Sequence, residues 1–133
     1  MSVIVTDTGF TPVADSVNPG LADLGDGQAL DLAHTDDPAA VAPVLAQLTL
    51  IRVGFPAFND GRAFTIARRL RMMGYVGELR ALGPVIADQY AMARRVGFDA
   101  VEIPDDLAAR QPESQWQFRA DWKAHDYQSR LRA

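Results

Sequence analysis

From residue 28 onwards, short apolar runs alternate with longer segments that have helical spacing. The runs at residues 29–33, 48–55, 78–82 and 100–103 have the length and composition of strands. The segments between them place apolar residues three and four positions apart. Such alternation predicts an α/β fold in which parallel strands are joined by right-handed crossovers, in the order β-α-β-α-β-α-β. We expect a small parallel sheet of about four strands, either in a three-layer sandwich or as half of a barrel that a partner chain completes.

Capping and turn residues indicate where the predicted helices begin and end. Asp37 followed by Pro38 is a helix start, with Asp37 as N-cap and Pro38 at the first helical position. Pro43 lies inside the same segment and predicts a kink or a late start. Asp60 is the expected N-cap of the second helix, and Gly97 is expected to end the third.

The two ends of the chain differ from its middle. Residues 1–27 contain several Gly and Pro residues in turn-forming clusters, and we expect a loop-rich segment in which residues 3–5 fit a short edge strand. Residues 28–104 are expected to form the βα repeat core and residues 105–133 a helical tail, all within a single domain of residues 1–133. An apolar stripe in this tail must be buried on its own sheet or on another subunit, which makes a homo-oligomer through the C-terminal helix one expectation. The stripe consists of Trp116, Ala120, Ala124, Tyr127 and Leu131.

Charge and composition narrow the class of protein. The net charge of −4 argues against a nucleic-acid binder or a binder of anionic membranes. The absence of cysteine excludes disulfides, thiolate nucleophiles and cysteine-held iron–sulfur clusters, and it suits a reducing cytoplasm. No apolar run approaches the roughly 20 residues of a membrane helix, and no secretory pattern is visible. His34 and His125 lack a second ligand at metal-binding spacing, and no nucleotide fingerprint follows a strand, so neither a metal nor a cofactor is expected.

Several polar residues follow the predicted strands and are candidates for ligand binding. Ligands of parallel α/β proteins bind outside the carboxyl ends of the strands. Two arginines beside helix N-termini can hold a carboxylate, a phosphate or a sulfur oxyanion there. No set of residues forms a known catalytic constellation, so no catalytic residue is assigned. The candidates for ligand binding are His34, Asn59, Asp60, Arg62, Arg80, Asp88 and Gln89.

A structural role explains the same residues equally well. In that interpretation Asp60 caps its helix and Arg62 pairs with it or with Asp88. Arg80 then bridges to Asp60 or Asp88, and the group is an ion-pair network. The arginines at positions 68, 69 and 71 could steer an acidic partner or a nucleic acid. A solvated helix face is the stronger interpretation of those three, because the chain is acidic and no aromatic residues lie between them.

Residues 58–103 resemble the core signature of a bacterial family, domain-of-unknown-function family 934. Its members are described as probable oxidoreductases involved in sulfite reduction, because their genes tend to lie beside sulfite reductase. The resemblance implies an accessory protein of cytosolic assimilatory sulfite reduction that acts with sulfite reductase or its electron donor. From the residues alone, a small-molecule oxyanion-binding enzyme or binder and a non-catalytic assembly protein are the alternatives. The matching motifs are Asp60-Gly61-Arg62, Ala67-Arg68, Leu70-Arg71, Gly77-Glu78-Leu79-Arg80-Ala81, Asp88-Gln89 and Gly97-Phe98-Asp99.

Overall fold

The structure is a computed structural model, and it describes residues 2–20, 28–57 and 61–118. Within these residues one sheet has the strand order β2-β1-β6-β5-β4-β3. Strands β3 to β6 are parallel, whereas β1 runs antiparallel to both β2 and β6. The α/β class and the four parallel strands agree with the sequence prediction, but the sheet is larger than expected and mixed. Its strands are β1 Ser2–Thr6, β2 Gly9–Val13, β3 Ala29–Leu32, β4 Leu50–Gly54, β5 Glu78–Leu82 and β6 Ala100–Pro104.

The N-terminal segment forms a hairpin where mostly loop was expected. Strand β1 lies between β2 and β6 instead of at an edge, and its Val3 and Val5 are buried in the core. Strand β2 was not predicted, because Gly9 and Pro12 are residues that favour turns. Pro12 is tolerated there because β2 is the edge strand, where one side of the backbone needs no ladder hydrogen bond.

The helices begin and end close to the predicted positions. As expected, the Asp37 side chain caps its helix by accepting a hydrogen bond from the Ala39 N–H. That segment contains Pro43 and forms a 3-10 helix instead of a kinked α-helix. The N-cap of the next helix is Gly61 instead of Asp60, and the third helix ends at Gly97, whose φ is 119°. The helices are α1 Arg62–Met72, α2 Tyr90–Val96, α3 Asp105–Arg110, α4 Glu113–Phe118 and the 3-10 helices Pro38–Gln47 and Ala87–Gln89.

The helices pack on one face of the sheet. The parallel strands follow one another in chain order, and right-handed crossovers then place each connecting helix on the same side. On that side Ile51, Leu79 and Val101 are fully buried against the inward residues of α1, such as Ala63 and Ala67. The described residues therefore form two layers, not the three-layer sandwich that the sequence suggested.

The start of the C-terminal tail packs on its own chain. Trp116 in α4 is buried, lies edge to face on Tyr90 at 6.0 Å, and donates its indole N–H to the Gln111 carbonyl. Phe118, two residues later, is exposed. The rest of the predicted stripe, Ala120, Ala124, Tyr127 and Leu131, lies outside the described residues.

Candidate functional site

The candidate ligand-binding residues at the carboxyl edge of the sheet are spread along it. His34 follows β3 and is half-buried, whereas Arg62 follows β4 as the exposed first residue of α1. Asp88 is exposed in the 3-10 helix after β5. Its neighbour Gln89 caps that helix by accepting a hydrogen bond from the Ile86 N–H at 3.1 Å. Two further candidates, Asn59 and Asp60, lie outside the described residues.

The strand ends of β4 and β5 are packed together. In open α/β sheets the ligand crevice forms where the strand order reverses, and the order from β3 to β6 has no such reversal. The backbone hydrogen bonds between neighbouring strands also continue past the strand ends. The Phe55 N–H donates to Leu82 O at 2.7 Å, and the Gly83 N–H donates to Glu102 O at 3.0 Å. Gly83 has φ +131°, and a Cβ there would lie 2.4 Å from the Phe55 carbonyl oxygen. Only glycine fits this close approach of two backbones.

Contrary to the sequence prediction, Arg80 does not lie at the end of its strand. It is the third residue of β5, between the buried residues Leu79 and Ala81, so it projects from the face opposite the helices. Its Nη1 donates to Glu102 at 2.9 Å and its Nη2 to Glu78 at 2.5 Å. These carboxylates were not among the partners that the sequence suggested for it.

Arg80 belongs to a line of charged side chains that crosses this second face. At its centre is Arg52 of β4, which is only 1% exposed. Its Nε and Nη2 each donate to one oxygen of Asp31 at 2.7 Å, and its Nη1 donates to Glu102 at 3.1 Å. The Ser16 carbonyl accepts a further bond from Nη2 at 2.9 Å. We call Asp31, Arg52, Glu78, Arg80 and Glu102 the charge row.

The charge row is suited to holding the fold together. It has three carboxylates and two guanidiniums, so its excess charge is negative and does not favour an oxyanion. The hydrogen bond and the charge of Asp31 raise the pKa of Arg52 above its ordinary value, although burial acts in the opposite direction. Within the described residues, the one buried side-chain nitrogen or oxygen that has no hydrogen-bond partner is Nε of Arg80. Removing Arg52, which is buried, costs about 3–5 kcal/mol, because Asp31 and Glu102 stay charged.

The sequence contains a signal for the charge row in three of its strands. Asp31, Arg52 and Glu102 each interrupt a short apolar strand, in the segments ALDL, LIRVG and AVEIP. Because successive strand residues project from alternate faces of the sheet, each charged side chain lies on the face away from that of its apolar neighbours. A charge in the middle of an apolar strand needs a nearby partner of opposite sign. Asp31 lies on the strand next to that of Arg52, and Glu102 lies two strands away, beyond β5, yet both accept hydrogen bonds from Arg52.

Residues that carry the family resemblance meet at the amino edge of the sheet. Arg71, in the last turn of α1, donates from Nε to the Gly97 carbonyl and from Nη1 to the Gly77 carbonyl, both at 2.9 Å. Its Nη2 bonds to Asp99 at 2.8 Å, and the same carboxylate accepts the Leu79 N–H. We call this set the Arg71 joint. It ties the end of α1 to the starts of β5 and β6, so these motifs have a structural role.

Two buried tyrosines lie near this edge. Tyr75 lies under the Arg71 guanidinium, 5.5 Å from ring centroid to Cζ, and donates its hydroxyl to the Glu78 carbonyl at 3.0 Å. Burial raises the pKa of Tyr75 to about 12. Burial also raises the pKa of Tyr90, whose hydroxyl donates to Asp7 of the N-terminal hairpin. Tyr75 also lines a wide, open depression of about 710 Å³ with Arg71, Arg94 and Asp99. The hydroxyls of both tyrosines are already engaged as donors within the chain.

The described ranges give no support for a metal centre or a membrane span. No group of three or more His, Asp or Glu side chains within residues 2–20, 28–57 and 61–118 is arranged to hold a metal ion. Across those same residues, no helix combines the length and the apolar character that crossing a bilayer requires.

Within the described residues, the sheet topology, the charge row and the Arg71 joint define a two-layered α/β arrangement with a mixed sheet, in which backbone closes the space between the ends of β4 and β5. The chain belongs to the family described as bacterial protein of unknown function (DUF934), whose model matches residues 29–133. No curated protein matches the chain, and no solved structure does.

Proposed function

We propose that this chain is a non-catalytic accessory protein of cytosolic sulfite reduction, and that it acts by binding sulfite reductase or its electron donor. The resemblance to the family supplies the pathway. The observation that supports a binding role over a catalytic one is the closure of the charge row. Arg80, the main candidate for an oxyanion ligand, is neutralised by Glu102 and Glu78.

The rest of the strand-end edge supports the same proposal. Catalysis needs an acid, a base or a nucleophile within hydrogen-bond reach of a bound substrate. At the described part of this edge the backbones of Phe55 and Gly83 close the space between β4 and β5. A protein without such a site can still affect a reaction by bringing two other proteins together.

The test uses the purified full-length chain with sulfite reductase and its electron donor from the same bacterium. Binding is measured by calorimetry, and sulfite-dependent oxidation of the donor is followed with and without the chain. We expect a complex with one of the two proteins and faster turnover when the donor is dilute, because tethering raises its effective concentration.

The control for catalysis is Arg62→Ala, which removes the exposed guanidinium at the strand ends. An accessory protein keeps its effect on turnover in this variant, whereas an enzyme that holds an oxyanion through Arg62 loses it. The proposal is wrong if the chain binds neither protein and leaves turnover unchanged.

A further inference from the structure

Helices α1 and α2 carry a large part of the positive charge of the chain. Together they contain six arginines and no acidic residue. The remainder of the sequence holds seven basic and 17 acidic residues. These two helices are therefore basic on a chain that is acidic as a whole, and such segregated charge favours acidic partners.

One stripe of α1 brings these charges to solvent. Thr65, Arg68, Arg69 and Met72 are all exposed and follow one another at helical spacing. Met72 is 78% exposed and adds an accessible apolar side chain beside the two arginines. Arg71 on the same helix differs from them, because its guanidinium is held in the Arg71 joint.

The stripe borders a groove between α1 and the 3-10 helix Pro38–Gln47. The groove has a volume of about 390 Å³ and is lined by Ala39, Ala42, Arg69, Met72 and Met73. We call it the arginine–methionine groove. Small alanines on one wall and flexible methionines on the other leave room for an apolar side chain of a partner.

An acidic residue also lies beside the groove, but it does not neutralise the basic surface. Arg69 is 3.5 Å from Asp37, and the two side chains are 52% and 68% exposed. Exposed ion pairs of this kind contribute little free energy. A carboxylate of a partner can therefore replace Asp37 at Arg69 at little cost.

We infer that the arginine–methionine groove binds an acidic amphipathic helix of a partner protein. The apolar side chains of that helix would enter the groove, and its carboxylates would meet Arg68 and Arg69. The inference rests on the proposed function in one respect, namely that the chain acts by binding another protein. It does not depend on which protein that is.

Other occupants fit the groove less well. A nucleic acid is disfavoured because the groove has no aromatic side chain on which a base could stack, and because the chain is net acidic. The C-terminal segment 119–133 carries four basic and two acidic residues, so its charge opposes docking on a basic surface. A second copy of the chain could place acidic surface on the groove, and a measurement of self-association distinguishes that case.

The experiment titrates the ¹⁵N-labelled full-length chain with two synthetic helical peptides. Both have leucines along one face and differ only in carrying Glu or Lys on the other. We expect the Glu peptide to bind and to shift amide signals of residues 39–42 and 68–73, with an affinity that falls as salt is added. The Lys peptide should produce no shifts.

Charge reversal gives the matched comparison. The double variant Arg68→Glu/Arg69→Glu should weaken binding of the Glu peptide about tenfold or more. Met72→Ser should weaken it less, through the lost apolar contact. The control is Arg110→Glu on α3, which reverses a charge that is 71% exposed outside the groove and should leave the affinity within about twofold.

Four outcomes would overturn the inference. The Glu peptide could fail to bind, or the amide signals that it shifts could lie outside the groove. A duplex RNA could bind more tightly than the peptide, or the chain could self-associate in a way that the double variant Arg68→Glu/Arg69→Glu abolishes. Because none of these measurements involves sulfite reductase, failure here leaves the accessory role standing. Conversely, failure to bind the reductase or its donor leaves the groove standing.

Discussion

The two faces of this protein use arginine in opposite ways. On the sheet face opposite the helices, Arg52 is surrounded by Asp31, Glu102 and the Ser16 carbonyl, and it is 1% exposed. On the outer face of α1, Arg68 and Arg69 are exposed beside a shallow apolar groove. The comparison shows that an arginine indicates a binding surface only where the carboxylates of its own chain leave it accessible.

The largest effect is expected from breaking the charge row at its centre. Arg52→Met keeps the volume but leaves Asp31 and Glu102 without their shared cation, so we expect a loss of about 3–5 kcal/mol in the free energy of unfolding. Urea unfolding measures this loss. Arg68→Met is the matched control and should stay within about 0.5 kcal/mol of the wild type. A loss below about 1 kcal/mol for Arg52→Met would show that the row contributes little.

A sharper comparison lies within one helix, because Arg71 and Arg68 are three residues apart. Arg71→Ala removes hydrogen bonds to the carbonyls of Gly77 and Gly97 and an ion pair with Asp99. We expect a loss of about 2–3 kcal/mol, since each bond contributes roughly 1 kcal/mol. Arg68→Ala should change stability by no more than about 0.5 kcal/mol.

The two variants should show the opposite order when affinity for the acidic peptide is measured. Arg68→Ala should weaken binding of the peptide, whereas folded Arg71→Ala should bind it with nearly unchanged affinity. Equal losses of stability in both variants would contradict the division between joint and stripe.

The sequence predicted the parallel strands well because each is a short apolar run closed by turn residues. The four predicted runs and strands β3 to β6 differ by at most two residues at either end. The hairpin could not be read in the same way. Strand β2 contains Gly9 and Pro12, and its existence depends on pairing with β1, which itself pairs with β6 almost 100 residues later. Such long-range pairing leaves no local pattern.

The site was predicted less well, for a reason that Arg80 makes clear. Proximity in the sequence to a helix start suggested a strand-end ligand, but alternation along β5 decides which face the side chain occupies. Leu79 and Ala81 point into the core, so Arg80 must point away from it. Its partner Glu102 lies on an adjacent strand, and strand register is a property of the folded sheet. Sequence spacing alone could not reveal it.

The smallest effect concerns Tyr75, which lies beneath the Arg71 joint. Burial raises its folded pKa to about 12 from an ordinary value of 10. The unfolded chain therefore loses the phenolic proton first as the pH rises, and deprotonation stabilises the unfolded state. The stability that Tyr75 contributes is complete below pH 10 and is lost as the pH rises towards 12. The loss at pH 11 is about 1 kcal/mol.

Tyr75→Phe tests this directly, because phenylalanine cannot ionise. At neutral pH the variant should be less stable by roughly 1 kcal/mol, since the Glu78 carbonyl loses its hydroxyl donor. That difference should narrow as unfolding is measured at increasing pH, because only the wild type carries the Tyr75 ionisation. Tyr90 titrates in both proteins and cancels in the comparison. If the difference in unfolding free energy between the two proteins stays constant up to pH 11, Tyr75 is solvated. The Arg71 joint would then be open to water like the stripe on α1.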